Sequence, residues 1–157
     1  MPLVTIAPAR RGDETHLAAM SRRLVEVGLE ACWTEQRIER QRRNPDCVVL
    51  TARVAGSIGG FAIMQYGDEA AHLNLLAVEA VHQRRGIGRQ LVGWLEETAR
   101  GAGVFRIRLE IRSSNDGARR FYAALGYEER GWVRGYYQAM EDALRFERDL
   151  SLRSVAR

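Results

Sequence analysis

The chain has 157 residues, the length of one domain at roughly 100 to 200 residues per domain, and its 46% apolar and 28% charged composition is that of a globular protein. Its net charge of +4 comes from 24 basic and 20 acidic residues, and every basic residue is an arginine. The lack of lysine excludes a Walker-type phosphate loop, a pyridoxal Schiff-base enzyme and a protein kinase, each of which works through a lysine.

A sequence pI near 9.6 points to an anionic partner, because guanidinium groups chelate phosphate in a bidentate way. Cys32 and Cys47 are too few for a disulfide framework and stand at no zinc-knuckle spacing. The start, Met1 to Ile6, lacks a basic stretch followed by a long apolar one, and no run approaches the roughly 20 apolar residues that span a bilayer. We therefore expect one domain over 1–157, cytoplasmic, with no membrane partner.

Leu3 to Ala7 reads as a strand, and Gly12-Asp13 opens a helix with Asp13 as its N-cap. Leu17, Met20, Leu24 and Val27 form its apolar stripe. A basic helix follows from Thr34 to Arg43, stopped by Asn44-Pro45. Cys47 to Val54 and Ser57 to Tyr66 form a hairpin across Ala55-Gly56, and Ala71 to Val78 adds a third strand. Gly86-Ile87-Gly88 starts a long helix whose Ile87, Leu91, Val92, Leu95 and Ala99 share a face. The next strand alternates, with Ile107, Leu109 and Ile111 toward a core and Arg106, Arg108, Glu110 and Arg112 away from it. Asn115 caps a short helix carrying Ala118, Phe121, Tyr122 and Leu125, closed by Gly126. Strands around Tyr127 to Arg134 and Met140 to Leu150 complete an α+β chain.

The stretch Gln83-Arg84-Arg85-Gly86-Ile87-Gly88 lies between a strand and a helix start, where free N–H groups and the helix dipole hold phosphate. A dinucleotide fingerprint would need a third glycine where Leu91 stands, and by itself the GxG also fits a plain tight turn. Leu73 to Leu150 resembles the GNAT superfamily of acyl-CoA-dependent N-acetyltransferases. The match runs through the strand Leu73 to Val78, the [R/Q]-x-x-G-x-[G/A] loop Gln83 to Gly88, the strand Arg108 to Arg112, Asn115, and Phe121-Tyr122 before Leu125-Gly126-Tyr127. The Leu109 to Asn115 segment, with Gly135-Tyr136-Tyr137, Glu141-Asp142-Ala143 and Trp33-Thr34-Glu35, is similar to the RimI-type N-alpha-acetyltransferases, which modify the N-terminus of a ribosomal protein.

The resemblance implies a GNAT fold: a mixed, mostly antiparallel sheet of about six to seven strands, flanked by helices, with two splayed central strands forming an acyl-CoA cleft. It implies acetyl-CoA as co-substrate and no metal. The pyrophosphate would lie on the N–H groups of Arg85 to Arg89, with Arg84, Arg85 and Arg89 adding charge or standing as a solvated face. The pantetheine arm would pair near Leu76, Ala77 and Val78 and bond Asn115. Glu110 matches the base of the RimI-type pattern, or forms a structural ion pair with Arg108 and Arg112; Tyr122 matches the general acid, or is a core aromatic. Trp33, Tyr136 and Tyr137 would wall the acceptor entrance, the tyrosines alternatively being loop packing.

The acceptor implied is a primary amine, foremost a protein N-terminus, with a small-molecule amine as the alternative. A non-catalytic acyl-CoA sensor, or an RNA-binding module using Arg37, Arg40, Arg42 and Arg43, stays open, though few aromatics and a modest charge disfavour nucleic acid. Dimers are common in the superfamily, so a homodimer is compatible. His16, His72 and His82 show no metal-ligand or triad spacing and read as structural or exposed.

Overall fold

The computed structural model describes residues 3–151, so the single domain expected over 1–157 runs past the described residues at both ends. Among the described residues, seven strands form one sheet: β1 (Val4–Pro8), β2 (Cys47–Val54), β3 (Ser57–Tyr66), β4 (Ala71–Val78), β5 (Arg106–Arg112), β6 (Glu128–Tyr137) and β7 (Glu141–Asp149). The order across it is β1-β2-β3-β4-β5-β7-β6. Every neighbouring pair is antiparallel except β4 and β5. A parallel pair requires a crossover, here α3 (Ile87–Gly101). The other α-helices among the described residues are α1 (Glu14–Leu24), α2 (Glu35–Arg43) and α4 (Asp116–Ala124).

Strand alternation divides the core between the two faces. Leu50, Ala62, Met64, Ile107, Leu109 and Phe146 pack with Leu91, Val92, Leu95 and Ala99 of α3, and with Tyr122 of α4. Phe61, Ile63 and Leu75 pack with Leu17, Met20 and Ile38 of α1 and α2. Each fully buried aliphatic side chain contributes about 1.5–3 kcal/mol of transfer free energy, so both helical layers are fixed to the sheet.

Two irregularities of β4 open the molecule. The β3–β4 register steps from Ile63↔Leu75 to Met64↔Leu73, leaving Asn74 as the extra residue of a bulge. Ala71 and Leu73 before it face the α3 core, whereas Leu75 and Ala77 after it face the α1–α2 core. A bulge bends its strand and re-aims side chains. β4 then pairs with β5 only at Ala71↔Ile107, His72↔Arg108 and Leu73↔Leu109. Beyond Leu73 it follows β3 to Val78, while β5 follows β7 to Arg112. The expected splay is therefore present.

Three local readings change. The Asp13 side chain does not cap α1; it accepts from Arg10 N at 2.7 Å and pairs with Arg53 at 2.5 Å, the nearby guanidinium outcompeting the helix N–H groups. Val27 lies past the end of α1 and is exposed. β6 runs on to Tyr137, so Tyr136 and Tyr137 end a strand and are held by sheet register, not by a loop.

Candidate active site

The wedge between β4 and β5 is a cleft of about 640 Å³ lined by Leu76, Glu110, Asn115, Tyr122, Tyr136 and Tyr137, among others. Its roof is the segment between α1 and α2. Glu26, itself buried, accepts from Cys32 N at 2.6 Å and Trp33 N at 3.1 Å through Oε1, and from Ser21 Oγ at 3.0 Å through Oε2. That anchors Trp33 against the cleft, with the Arg37 guanidinium 3.7 Å above its ring. The β6–β7 turn closes over the same segment. Gln138 donates to Glu30 O and accepts from Glu30 N, both at 2.9 Å, and Arg112 Nη1 donates to Val27 O at 2.7 Å.

The far end of β4 leads to the glycine loop. Gln83 Nε2 donates to Val78 O at 3.0 Å, tying the loop to the strand end and occupying a carbonyl that an added strand-like ligand would otherwise use. Arg84 and Gly86 both have positive φ, 63° and 81°. Such residues turn successive N–H groups to one side, an anion-binding concavity at the start of α3. The first N–H bonded back to this turn is Gln90's, to Gly86 O, which leaves the helix's opening donors outward. Gly88 is glycine for a packing reason: a Cβ there would lie 3.1 Å from the Phe121 ring. Arg84, Arg85 and Arg89 are exposed, and among the described residues they form no ion pair. The loop thus fits a diphosphate, and the strand edge between it and the cleft spans Leu76 to Val78.

At the narrow end of the wedge, Glu110 Oε1 accepts from His72 Nε2 at 2.6 Å and from the Tyr136 hydroxyl at 3.0 Å, while Oε2 accepts from Arg145 Nε at 3.1 Å. The alternative pairing with Arg108 and Arg112 is not what forms. Arg108 pairs with Glu147 and Arg112 with Glu141, because the residue directly opposite across the β5–β7 ladder, Arg145, is nearer to Glu110 than same-strand neighbours two positions away. Burial alone would raise the Glu110 pKa, but the bond and charge of His72 and the bonds from Arg145 and Tyr136 outweigh it and hold the carboxyl at about 2. His72 is pushed the other way: its bond to Glu110 raises its pKa above 6.5 despite burial. His72 Nδ1 meets Asn74 Oδ1, so the ring lies between two oxygen acceptors.

Tyr122 is buried, lines the cleft, and stacks edge-on with Phe121 and Tyr127 at centroid distances of 5.0 and 5.6 Å. It is both a core aromatic and a cleft residue. Burial raises its phenol pKa strongly, so it stays protonated throughout the physiological range. Asn115 Oδ1 accepts from Ala118 N at 3.0 Å as the cap of α4, leaving its NH₂ as the group that can donate to a ligand. Tyr136 and Tyr137 stack at 5.0 Å and wall the opening.

Leu76, Glu110, Asn115, Tyr122, Trp33, Tyr136 and Tyr137 therefore meet in one cleft, whereas Ala77, Val78 and residues 83–89 do not line it and continue from the far end of β4. His72, read from the sequence as structural or exposed, is a partly exposed ring bonded to Glu110 at the acidic centre of the cleft. Asn74 and Arg145 were missed. The available signal was a pair of polar residues, His72 and Asn74, inside the otherwise apolar strand Ala71–Val78. The arginines of α2 are partly engaged within the molecule, Arg37 over Trp33, Arg42 with Glu14 and Arg43 with Glu39.

A cleft between splayed parallel strands, fed by a glycine loop at a helix start, defines an acyl-CoA acetyltransferase architecture. Residues 16–127 match the Acetyltransferase (GNAT) family, and the chain belongs to it; it is an acetyl-CoA-dependent N-acetyltransferase. The chain is 32% identical over 151 residues to the N-alpha-acetyltransferase RimI of Mycobacterium tuberculosis, covering 93% of this chain and 92% of that one. It is 39% identical over 90 residues to the ribosomal protein bS18-alanine N-acetyltransferase of Salmonella typhimurium, covering 55% and 61%. The crystal structure of the Escherichia coli ribosomal-protein-S18-alanine N-acetyltransferase superimposes with a TM-score of 0.82 at 26% identity, covering 97% of each chain. Among the described residues, no helix is long and apolar enough to cross a membrane.

Proposed function

We propose that this chain, working as one catalytic domain, acetylates the N-terminal α-amine of a protein, a ribosomal protein being the first candidate. The observation that carries the reading is the extent of the likeness to the mycobacterial RimI. At 93% of the chain it takes in the roof around Trp33 and the Tyr136–Tyr137 wall, which form the acceptor side, as well as the cofactor loop. A ribosomal acceptor would put the reaction in the cytoplasm.

In this reading the diphosphate of acetyl-CoA lies on the 85–89 N–H groups, flanked by Arg84, Arg85 and Arg89. The pantetheine arm follows β4 from Val78 through Ala77 to Leu76 and takes a hydrogen bond from Asn115. Gln83 and Ile87 hold the loop's shape, Gln83 through Val78 O and Ile87 by its burial in the α3 core. The thioester supplies an electrophilic carbonyl carbon; the residues around it do the rest. Trp33, Tyr136 and Tyr137 guide the incoming chain end, and Glu110 receives its ammonium group. A carboxylate offers about four lone-pair sites, and three are taken by His72, Tyr136 and Arg145, so one on Oε2 remains for the amine. An α-amino group has a pKa of about 7.7–8, against about 10.4 for lysine, so a weak carboxylate base suffices for it. Tyr122, protonated and shielded from water, donates to the departing thiolate.

Free-thiol release from acetyl-CoA, measured against a panel of N-terminal peptides and a panel of diffusible amines, tests the assignment. Turnover with peptides is the expected result. Turnover confined to small amines would move the acceptor to a metabolite or drug, and thiol release with neither would leave an acyl-CoA binder.

A further inference from the structure

Glu110 is well placed to draw a proton from the amine and poorly suited to keep it. A carboxyl group with a pKa of about 2 gives that proton up at once, so productive turnover needs a second carrier in contact with it. Among the described residues, the group at hydrogen-bond distance that can titrate near neutrality is His72, with Nε2 2.6 Å from Glu110 Oε1.

We propose that His72 is the proton-relay partner of Glu110, accepting the proton that the carboxylate draws from the acceptor amine and releasing it to solvent through a second opening. That opening, about 580 Å³, is lined by His72, Arg108, Glu110, Tyr136, Arg145 and Glu147. His72, Glu110 and Tyr136 border both it and the main cleft, so the pair bridges the site of chemistry and a separate route to water. His72 is about 38% exposed through its side chain, against 5% for Glu110, which fits a carrier that unloads to solvent beside a carboxylate that does not. The proposal rests on acetyl transfer to an amine held at Glu110.

The other charged groups facing His72 do not compete for the role. Arg145 on β7 is bonded to Glu110, and Arg108 and Arg106 on β5 both pair with Glu147, so that carboxylate is already engaged. Tyr136 on β6 donates a hydrogen bond to Glu110, and its phenol pKa is raised by burial and then by the carboxylate, so it keeps its proton. On β4 itself Asn74, set on the same side by the bulge, meets Nδ1 and fixes the ring.

With the ring neutral, its one N–H on Nδ1 toward Asn74 Oδ1 and its lone pair on Nε2, the acceptor ammonium loses one proton through Glu110 to Nε2, and its freed lone pair forms the C–N bond to the thioester carbonyl carbon. The C–S bond breaks with its electron pair on sulfur. The thiolate takes a proton from the Tyr122 hydroxyl, and the second proton lost by the nitrogen on becoming an amide restores the phenol. One proton, on His72, leaves to solvent in each turnover.

His72→Gln keeps a donor toward Glu110 and cannot carry a proton, and His72→Ala leaves space for added imidazole. Both are assayed on the full chain after a thermal melt, with kcat and KM for each substrate followed from pH 5.5 to 9 in steps of about half a pH unit, on the scale of histidine and α-amine titration. The ligand-free protein, labelled at its histidine rings, is titrated by NMR as wild type and as Glu110→Gln. The expected results are a wild-type kcat rising through the NMR midpoint of His72, a downward shift of that midpoint in Glu110→Gln, and about a 100-fold lower kcat in His72→Gln. The acetyl-CoA KM of His72→Gln stays within about twofold, and imidazole restores part of the rate to His72→Ala. Wild-type kcat and pH profile in His72→Gln, or a His72 midpoint indifferent to Glu110, would overturn the proposal. The NMR arm uses no acceptor, so failure to turn over N-terminal peptides refutes the acceptor reading and not the coupling; the kinetics are then run with the amine that reacts.

Discussion

Replacing Glu110 by glutamine keeps the side chain's length while removing the negative charge between His72 and Arg145. The carboxyl is held at about 2 against an ordinary 4.5. At roughly 1.4 kcal/mol per pH unit, that difference corresponds to an interaction on the order of 3 kcal/mol. Arg145 and His72 are each partly exposed and recover some hydration when the charge goes, so the measured loss should be about 2 kcal/mol at pH 6. The sign follows from linkage. Glu110's contribution is complete above about pH 4.5 and is lost as pH falls through about 2. His72, raised above 6.5, contributes fully below 6.5 and loses its share as pH rises through its folded value. The pair is therefore most stabilising between about pH 4.5 and 6.5. Urea unfolding of wild type and Glu110→Gln at pH 3, 6 and 9, values chosen to fall roughly below, inside and above that window, should give the largest difference at pH 6 and smaller ones on either side. A difference constant across the three would show that Glu110 makes no special pair with His72 and would remove the electrostatic account of the site.

Tyr122→Phe should keep the fold and acetyl-CoA affinity, since the ring packing with Phe121 and Tyr127 is retained, and lose about 100-fold in kcat. Stopped-time thiol release checks it, and an unchanged kcat would leave Tyr122 a core aromatic only. Gly88→Val puts a Cβ 3.1 Å from the Phe121 ring, so it should cost about 1–3 kcal/mol by overpacking and weaken coenzyme A binding in calorimetry. Normal affinity in that variant would argue that the loop does not lie against the cofactor.

Much of the architecture was legible because its signals are local. Ala71 to Val78 and Ser57 to Tyr66 have the boundaries of their β-rich runs, Arg106–Arg112 has those of its alternation, and the Gly86 start of α3 follows from glycine chemistry. Asn115 caps α4 as its spacing from Ala118 indicates. What escaped was set by register across the sheet. Arg145 reaches Glu110 because β7 pairs with β5 at that step, and His72 reaches it across a parallel pair joined through α3; the polar His72 and Asn74 in an apolar strand mark the position, but neither partner can be read from nearby sequence. The bulge at Asn74, which swaps the faces of Leu75 and Leu76, is likewise a property of the β3–β4 ladder. Asp13 and Val27 misled for a related reason, as a distant arginine and an early helix end overrode sound local patterns.

The central claim is that the cleft delivers an acetyl group to the α-amine at the end of a chain. It is tested most directly by incubating the enzyme with acetyl-CoA and a peptide that has both a free N-terminus and an internal lysine, then locating the product by tandem mass spectrometry. The account predicts a single acetyl group on the N-terminal nitrogen, with the lysine unmodified at neutral pH. Acetylation of the lysine side chain with the α-amine untouched would contradict it.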